Sequence, residues 1–142
     1  MLVESVERVA DVKRLAHLID PVFKTSHPEE NEPMSQGVVE TLYLMSNKPR
    51  NCSMIQAAGG MRGLVAALGW GGMVAMPSMR CLQNILNTRY DTTTSKAISA
   101  GIIKPLVDII KHGISGVPPQ KNPGTIAAEL LDALMILSVT AR

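Results

Sequence analysis

The feature that most constrains this chain is that it repeats itself. QAAGGMRGLVAAL at residues 56–68 and ISAGIIKPLVDII at 98–110 align at an offset of 42 residues, from Gly59 to Gly101. Ala58 falls on Ala100, Arg62 on Lys104, Met61 on Ile103, Leu64-Val65 on Leu106-Val107 and Leu68 on Ile110. Self-similarity at such a period is the mark of a repeat architecture. One unit cannot bury its apolar face alone, so neighbours stack into a continuous core. A fainter copy, RVADVKRLAHLI at 8–19, sets Lys13 on the basic position, Leu15 on Leu64 and Ile19 on Leu68. It carries Ala10 where the other copies have glycine.

A second apolar segment follows each copy: MSQGVVETLYLMS (34–46), PSMRCLQNILNT (77–88) and TIAAELLDALMILSVTA (125–141). Apolar residues spaced three and four apart predict that all three are helices. Pro77 is expected in a first helical turn, and Asp91 with Thr92–Thr94 offers capping oxygens for the helix that follows. Gly59 and Gly101 are expected at sharp turns that need φ > 0 and allow close helix approach. The middle connector GWGGMVAM (69–76) is short. The stretches 24–33 and 112–124 are polar and contain proline, which predicts exposed loops.

Composition fits packed helices in one domain. Of the 142 residues 46% are apolar but only 3% aromatic, so the core must be aliphatic and methionine-rich. A net charge of +2 with interspersed signs implies no nucleic-acid or anionic-membrane partner. The longest uncharged stretch here, Gly63 to Met79, is rich in glycine and interrupted by Pro77. It reads as a buried segment and not as a membrane span. Cys52 and Cys81 form no C-x-x-C pair, which implies reduced thiols and a cytosolic or nuclear setting. The acidic and basic residues of MLVESVERVADVKR argue against a signal peptide.

The pattern I-x-x-A-G-G-M-x-x-L-V-x-x-L (Ile55–Leu68), followed by L-x-N-I-L (Leu82–Leu86), resembles the armadillo repeat, as does Ala100–Ile110. The resemblance implies an all-α, right-handed α-solenoid of about three three-helix repeats. They would span 1–48 (degenerate, with the long loop 24–33), 49–90, and 91–142 (with the long loop 112–124), in one continuous domain. In this family the third helices line a groove, where an asparagine often holds the backbone of an extended peptide. Asn84 matches that position; Leu44 and Ile136 align with it. One turn earlier, where nuclear-import receptors carry tryptophan, stand Glu40, Arg80 and Asp132, so the array that reads basic localisation signals is absent. Arg80 and Asn84 share a helix face and could hold a peptide carbonyl or an acidic side chain. Alternatively Asn84 serves a neighbouring loop, and Arg80 is solvated or pairs with Glu40 and Asp132 across the repeats.

What the resemblance implies about function is a non-enzymatic scaffold or adaptor for a protein or peptide partner, cytoplasmic, nuclear or cytoskeletal. Two other readings stay open. The last helix remains apolar to its end, as in a piece of a longer array or a homo-oligomer assembled through apolar ends and long loops. A small-ligand regulatory domain would need clustered basic residues, and only the scattered ladder Lys13, Arg62 and Lys104 is present; it is conceivable as a site for an acidic partner, but a solvated helix face is the preferred reading. Trp70, the only tryptophan, either folds back as a plug on the core or anchors a partner. Met54, Met61, Met73, Met76 and Met79 fall at core-like spacing, though such residues also suit adaptable binding surfaces. His17, His27 and His112 show no metal-ligand spacing, and His112 closes a helix beside its negative end. Gly69-x-Gly71 meets Val74 where a dinucleotide motif needs glycine, and no G-K-[ST] follows. No catalytic residue, metal or cofactor is implied.

Overall fold

A computed structural model describes the backbone over residues 2–24, 32–88 and 91–140, and side chains within 10–24, 33–88 and 92–137. All the regular structure among these residues is helical. The chain opens with α1 (Leu2–Phe23) and α2 (Glu32–Met45). Next come α3 (Pro49–Ala57), α4 (Gly60–Ala67) and α5 (Gly72–Asn87). Then follow α6 (Asp91–Ser99), α7 (Ile103–His112) and α8 (Pro123–Thr140). Pro49 and Pro123 stand at first helical positions, where no backbone N–H is required.

The two clearest copies share one local geometry. Gly59 and Gly101 both adopt φ of +83°, which costs a residue without a Cβ nothing. The preceding N–H groups bond identically: Ala58 to the Met54 carbonyl and Ala100 to the Lys96 carbonyl, both at 2.9 Å. Gly59 then donates to Gln56, and Gly101 to Ile98, both at 3.0 Å. Each glycine thereby closes one helix, α3 or α6, ahead of the next. The first copy differs. With Ala10 at the glycine position α1 runs unbroken, so among the described residues two helices stand where the later copies have three.

Helix α5 is central, packing on α2, α3, α4, α6 and α8. α1 covers α4, α3 and α2, while α7 lies along α8. The core is aliphatic and continuous from Leu15 and Ile19 on α1 to Leu134 on α8. Leu42, Leu82 and Leu134, the leading leucines of the three L-x-x-Φ segments, are 1%, 0% and 1% exposed. Burying such a side chain stabilises by roughly 1.5–3 kcal/mol, so these positions tie α2, α5 and α8 into one apolar layer.

Two expectations about helix starts need correction. α5 begins at Gly72, so Pro77 lies inside it and residues 72–76 are helix, not connector. The bond Pro77 forgoes would reach the carbonyl of Met73, a residue 57% exposed to solvent. Ser78 compensates in another way: its buried hydroxyl donates to the Leu64 carbonyl and joins α5 to α4. α6 begins at Asp91, so Thr92–Thr94 sit within its first turn. Thr93 donates across to Gln56 Oε1 on α3 at 3.3 Å and does not cap its own helix. Of the long loops, residues 25–31 and with them His27 lie outside the described residues. The other runs from Gly113 to Asn122 and includes a 3-10 turn at Pro119–Lys121.

Candidate functional site

The polar residues of this protein gather where α2 ends. A helix leaves its last carbonyls without partners, and here side chains supply them. Ser46 Oγ donates to Tyr43 O at 2.6 Å, Asn47 Nδ2 to Leu44 O at 3.2 Å and Asn51 Nδ2 to Met45 O at 2.9 Å. The Cys52 thiol reaches Ser46 O at 3.1 Å. Asn84 enters this network from α5, its Nδ2 donating to Ser46 Oγ at 2.9 Å and to Asn47 Oδ1 at 3.3 Å. Because the Ser46 hydroxyl proton is committed to Tyr43, Ser46 Oγ accepts from Asn84 and fixes the orientation of that amide. The Asn84 carbonyl oxygen remains as an acceptor.

Around this amide lies a cleft of about 170 Å³ lined by Ser46, Asn47, Pro49, Asn84, Asn87 and Thr88. Among the described residues, three carboxamides and no ionisable group line it. Such a lining presents donors and acceptors of the kind a peptide backbone carries. Arg80, one turn before Asn84, is exposed, as are Glu40 on α2 and Asp132 on α8. Glu40 accepts from Gln36 Nε2 at 3.0 Å within its own helix. Among the described residues the ion pairs are Arg14–Asp11 at 3.5 Å and Lys24–Asp20 at 3.3 Å. The cross-repeat pairing of Arg80 with Glu40 or Asp132 is therefore not made there. Leu44 and Ile136, aligned with Asn84, are 67% and 63% exposed.

Beneath the cleft sit both cysteines, free and fully buried. Burial pushes the Cys81 thiol up to about 12, offset in part by the neighbouring Ser46 side chain and reinforced by Cys52. Burial also raises Cys52, against the lowering effect of a hydrogen bond. Thiols held protonated in this way are poor nucleophiles.

Trp70 is half-buried against the core edge, and its ring centroid lies 6.3 Å from that of Phe23, tilted by 54°. Phe23 fills the space over Gly63, where an added Cβ would come within 2.0 Å of the ring. Phe23 thus wedges the end of α1 between the α4 backbone and Trp70. The tryptophan folds back as a partial cover, leaving part of its surface in solvent. Of the middle-segment methionines, Met61, Met76 and Met79 are buried, Met54 is half-buried and Met73 is exposed. Arg62, Lys104 and Lys13 are all exposed.

Sequence reasoning singled out Asn84 but missed Ser46, Asn47, Asn87 and Thr88. Ser46 aligns with Leu86 and Ser138, so the repeat frame gave it no distinction; its role comes from the turn into α3. Gly63 inside an otherwise good helix was the available signal for Phe23. Among the described residues, no group of His, Cys, Asp and Glu could hold a metal ion, and no helix is long and apolar enough to cross a membrane. No family model, curated protein or solved structure matches the chain.

Proposed function

We propose that this chain is an armadillo-type α-solenoid unit that captures an extended segment of a protein partner across α2, α5 and α8. The observation that carries this reading is the fixed amide of Asn84, its nitrogen committed to Ser46 and Asn47 and its oxygen left to accept. A backbone N–H of the bound segment would donate to that oxygen. Pre-orientation lowers the entropic cost of the contact. Arg80 would take a carbonyl or carboxylate of the same segment, while Leu44 and Ile136 offer apolar contact to either side. Glu40 and Asp132 add acidic flanks, favouring a segment of mixed charge over a basic one. The buried free thiols suit a reducing compartment such as the cytosol or nucleus.

The test is selection of ligands from a displayed peptide library, followed by affinity measurement on variants. Arg80→Ala combined with Asn84→Ala should weaken selected peptides by at least tenfold, about 1.4 kcal/mol. Ser46→Ala, which loosens the amide but keeps it, should weaken them less. Peptides that bind the double variant unchanged would remove the groove assignment.

A second reading rests on a different observation. Ile103 and Ile110 on α7 are 41% and 42% exposed, and Met135 on α8 is 61% exposed. This side of the protein is apolar enough to stack on a further repeat or on a second copy. Light scattering over a concentration series tests self-association, and a constant monomer mass would count against the second-copy version.

A further inference from the structure

The repeat shows which side of each unit looks back to the unit before it and which looks forward to the unit after. Gly63 on α4 takes the Phe23 ring of α1, so that position looks back. Its aligned residue on α7 is Pro105, and Pro105 with Ile109 lines the space beside Leu68, just past the end of α4. Leu68 therefore looks forward. Positions 63 and 67, or 105 and 109, form one stripe of their helix. Positions 61, 65 and 68, or 103, 107 and 110, form a second stripe on roughly the opposite side.

Burial on both stripes depends on place in the array. On the backward stripe Ala67 and Ile109 are buried, whereas Leu18, the aligned residue of α1, is 55% exposed. On the forward stripe Met61, Val65 and Leu68 are buried. Their counterparts on α7 are not: Ile103 and Ile110 are exposed and Val107 is half-buried. The other helices follow at the first end, where Met34 on α2 is exposed and its counterpart Val74 on α5 is buried. Each stripe is covered inside the array and bare at one end only.

The two bare stripes are the halves of a contact that the chain already makes within itself. Inside the chain Leu68 and Ile109 line one space; the equivalent pair between two chains is Ile110 of one and Leu18 of the next. We infer, building on the self-stacking reading given above, that the α7 face of one chain receives α1 of a second copy. Leu18 then seats against Ile103, Val107 and Ile110. Joining opposite ends makes a head-to-tail interface, which yields rings or open filaments and not a two-fold dimer. Charge does not drive this contact. Lys104 and Lys111 flank the receiving stripe, and Lys13 and Arg14 lie about a turn before Leu18, offset only in part by Asp108 and Asp11. Screening by salt should therefore strengthen association.

Light scattering over a concentration series, on the full chain at low and high salt, reads the assembly. The wild-type mass should rise with concentration past that of two chains, and rise further in salt. Leu18→Lys and Ile110→Lys each remove one end and should weaken self-association at least tenfold. Their equimolar mixture should form a heterodimer and grow no further, because the first variant keeps its α7 face and the second its α1. Both positions are exposed and lysine is a good helix former; Leu18→Gln and Ile110→Gln replace either variant that loses its far-UV helical signal. If Leu18→Lys associates like the wild type while Ile110→Lys does not, the α7 faces pair with each other. That result overturns the head-to-tail inference and leaves the stacking reading standing. A mixture that stays monomeric, or an assembly that salt disperses, also overturns the inference. A wild type that is monomeric at every concentration overturns it together with the second-copy version of the reading beneath it.

Discussion

Helices α4 and α7 begin from the same turn and meet different surroundings. Gly59 and Gly101 share φ of +83°, and the bonds donated by Ala58 and Gly59 match those donated by Ala100 and Gly101. Yet Met61 is 5% exposed and its counterpart Ile103 is 41% exposed; Leu68 is 4% and Ile110 is 42%. The cause is a neighbour. α4 is covered by α1 on one side and α5 on another, whereas α7 rests mainly on α8. Phe23 sits on Gly63, and the aligned position within α7 is Pro105. A repeat in the sequence thus sets backbone geometry, while burial is decided by what stacks on the repeat.

The sharpest way to break this comparison is at the position where the two helices differ most in cover. Gly63→Ala drives a Cβ into the Phe23 ring, and overpacking of that kind costs about 1–3 kcal/mol. Pro105→Ala meets no such ring and should cost less than about 1 kcal/mol, from lost restriction of the unfolded chain. Urea unfolding followed by Trp70 fluorescence measures both. The Gly63→Ala loss should shrink in a Phe23→Leu background, because the two residues are in contact. Equal losses at 63 and 105 would mean that α1 does not cover α4 as described.

The turn itself should show the opposite behaviour, namely equivalence. Nothing lies within 4 Å of a Cβ added at Gly59 or at Gly101, so substitution there is felt through the backbone alone. Gly59→Ala and Gly101→Ala should each cost about 1–2 kcal/mol, the penalty of a left-handed conformation. A clear difference between them in the same unfolding assay would separate the two turns that the repeat equates.

What could be read from the sequence was what local periodicity carries. The helical class, the paired glycine turns and the buried leucines 42, 82 and 134 all follow from spacing. Pro77 misled because proline is read as a helix start, and the tertiary bond from Ser78 to Leu64 that helps hold the longer helix has no local signature. The Ser46–Asn47–Asn84 network was legible only at Asn84. Its other half comes from a turn 37 and 38 residues away, brought together by packing of α5 on α2. Phe23 over Gly63 is likewise a contact between elements, marked in the sequence only by a glycine in an unlikely place.

The smallest effect concerns the interior of the two copies. Position 81 on α5 is a buried cysteine, and its counterpart on α8 is Ala133, so the middle copy alone carries an ionisable group at this point of the core. In the unfolded chain the Cys81 thiol returns toward its ordinary value of 9.0; in the folded protein burial holds it at about 12. Below pH 9 both states keep the proton and the folded state incurs no penalty. Between these values the unfolded state releases a proton that the folded state retains, so stability must fall as pH rises. The loss should be about 1 kcal/mol at pH 10 relative to pH 8. Lysine and tyrosine ionise in the same range, so the quantity to compare is the alkaline slope of wild type against Cys81→Ala, which copies the residue at 133. A flatter slope in the variant places the thiol in a dry core. An unchanged slope would show that position 81 is hydrated, and that the middle copy is packed no more tightly than the last.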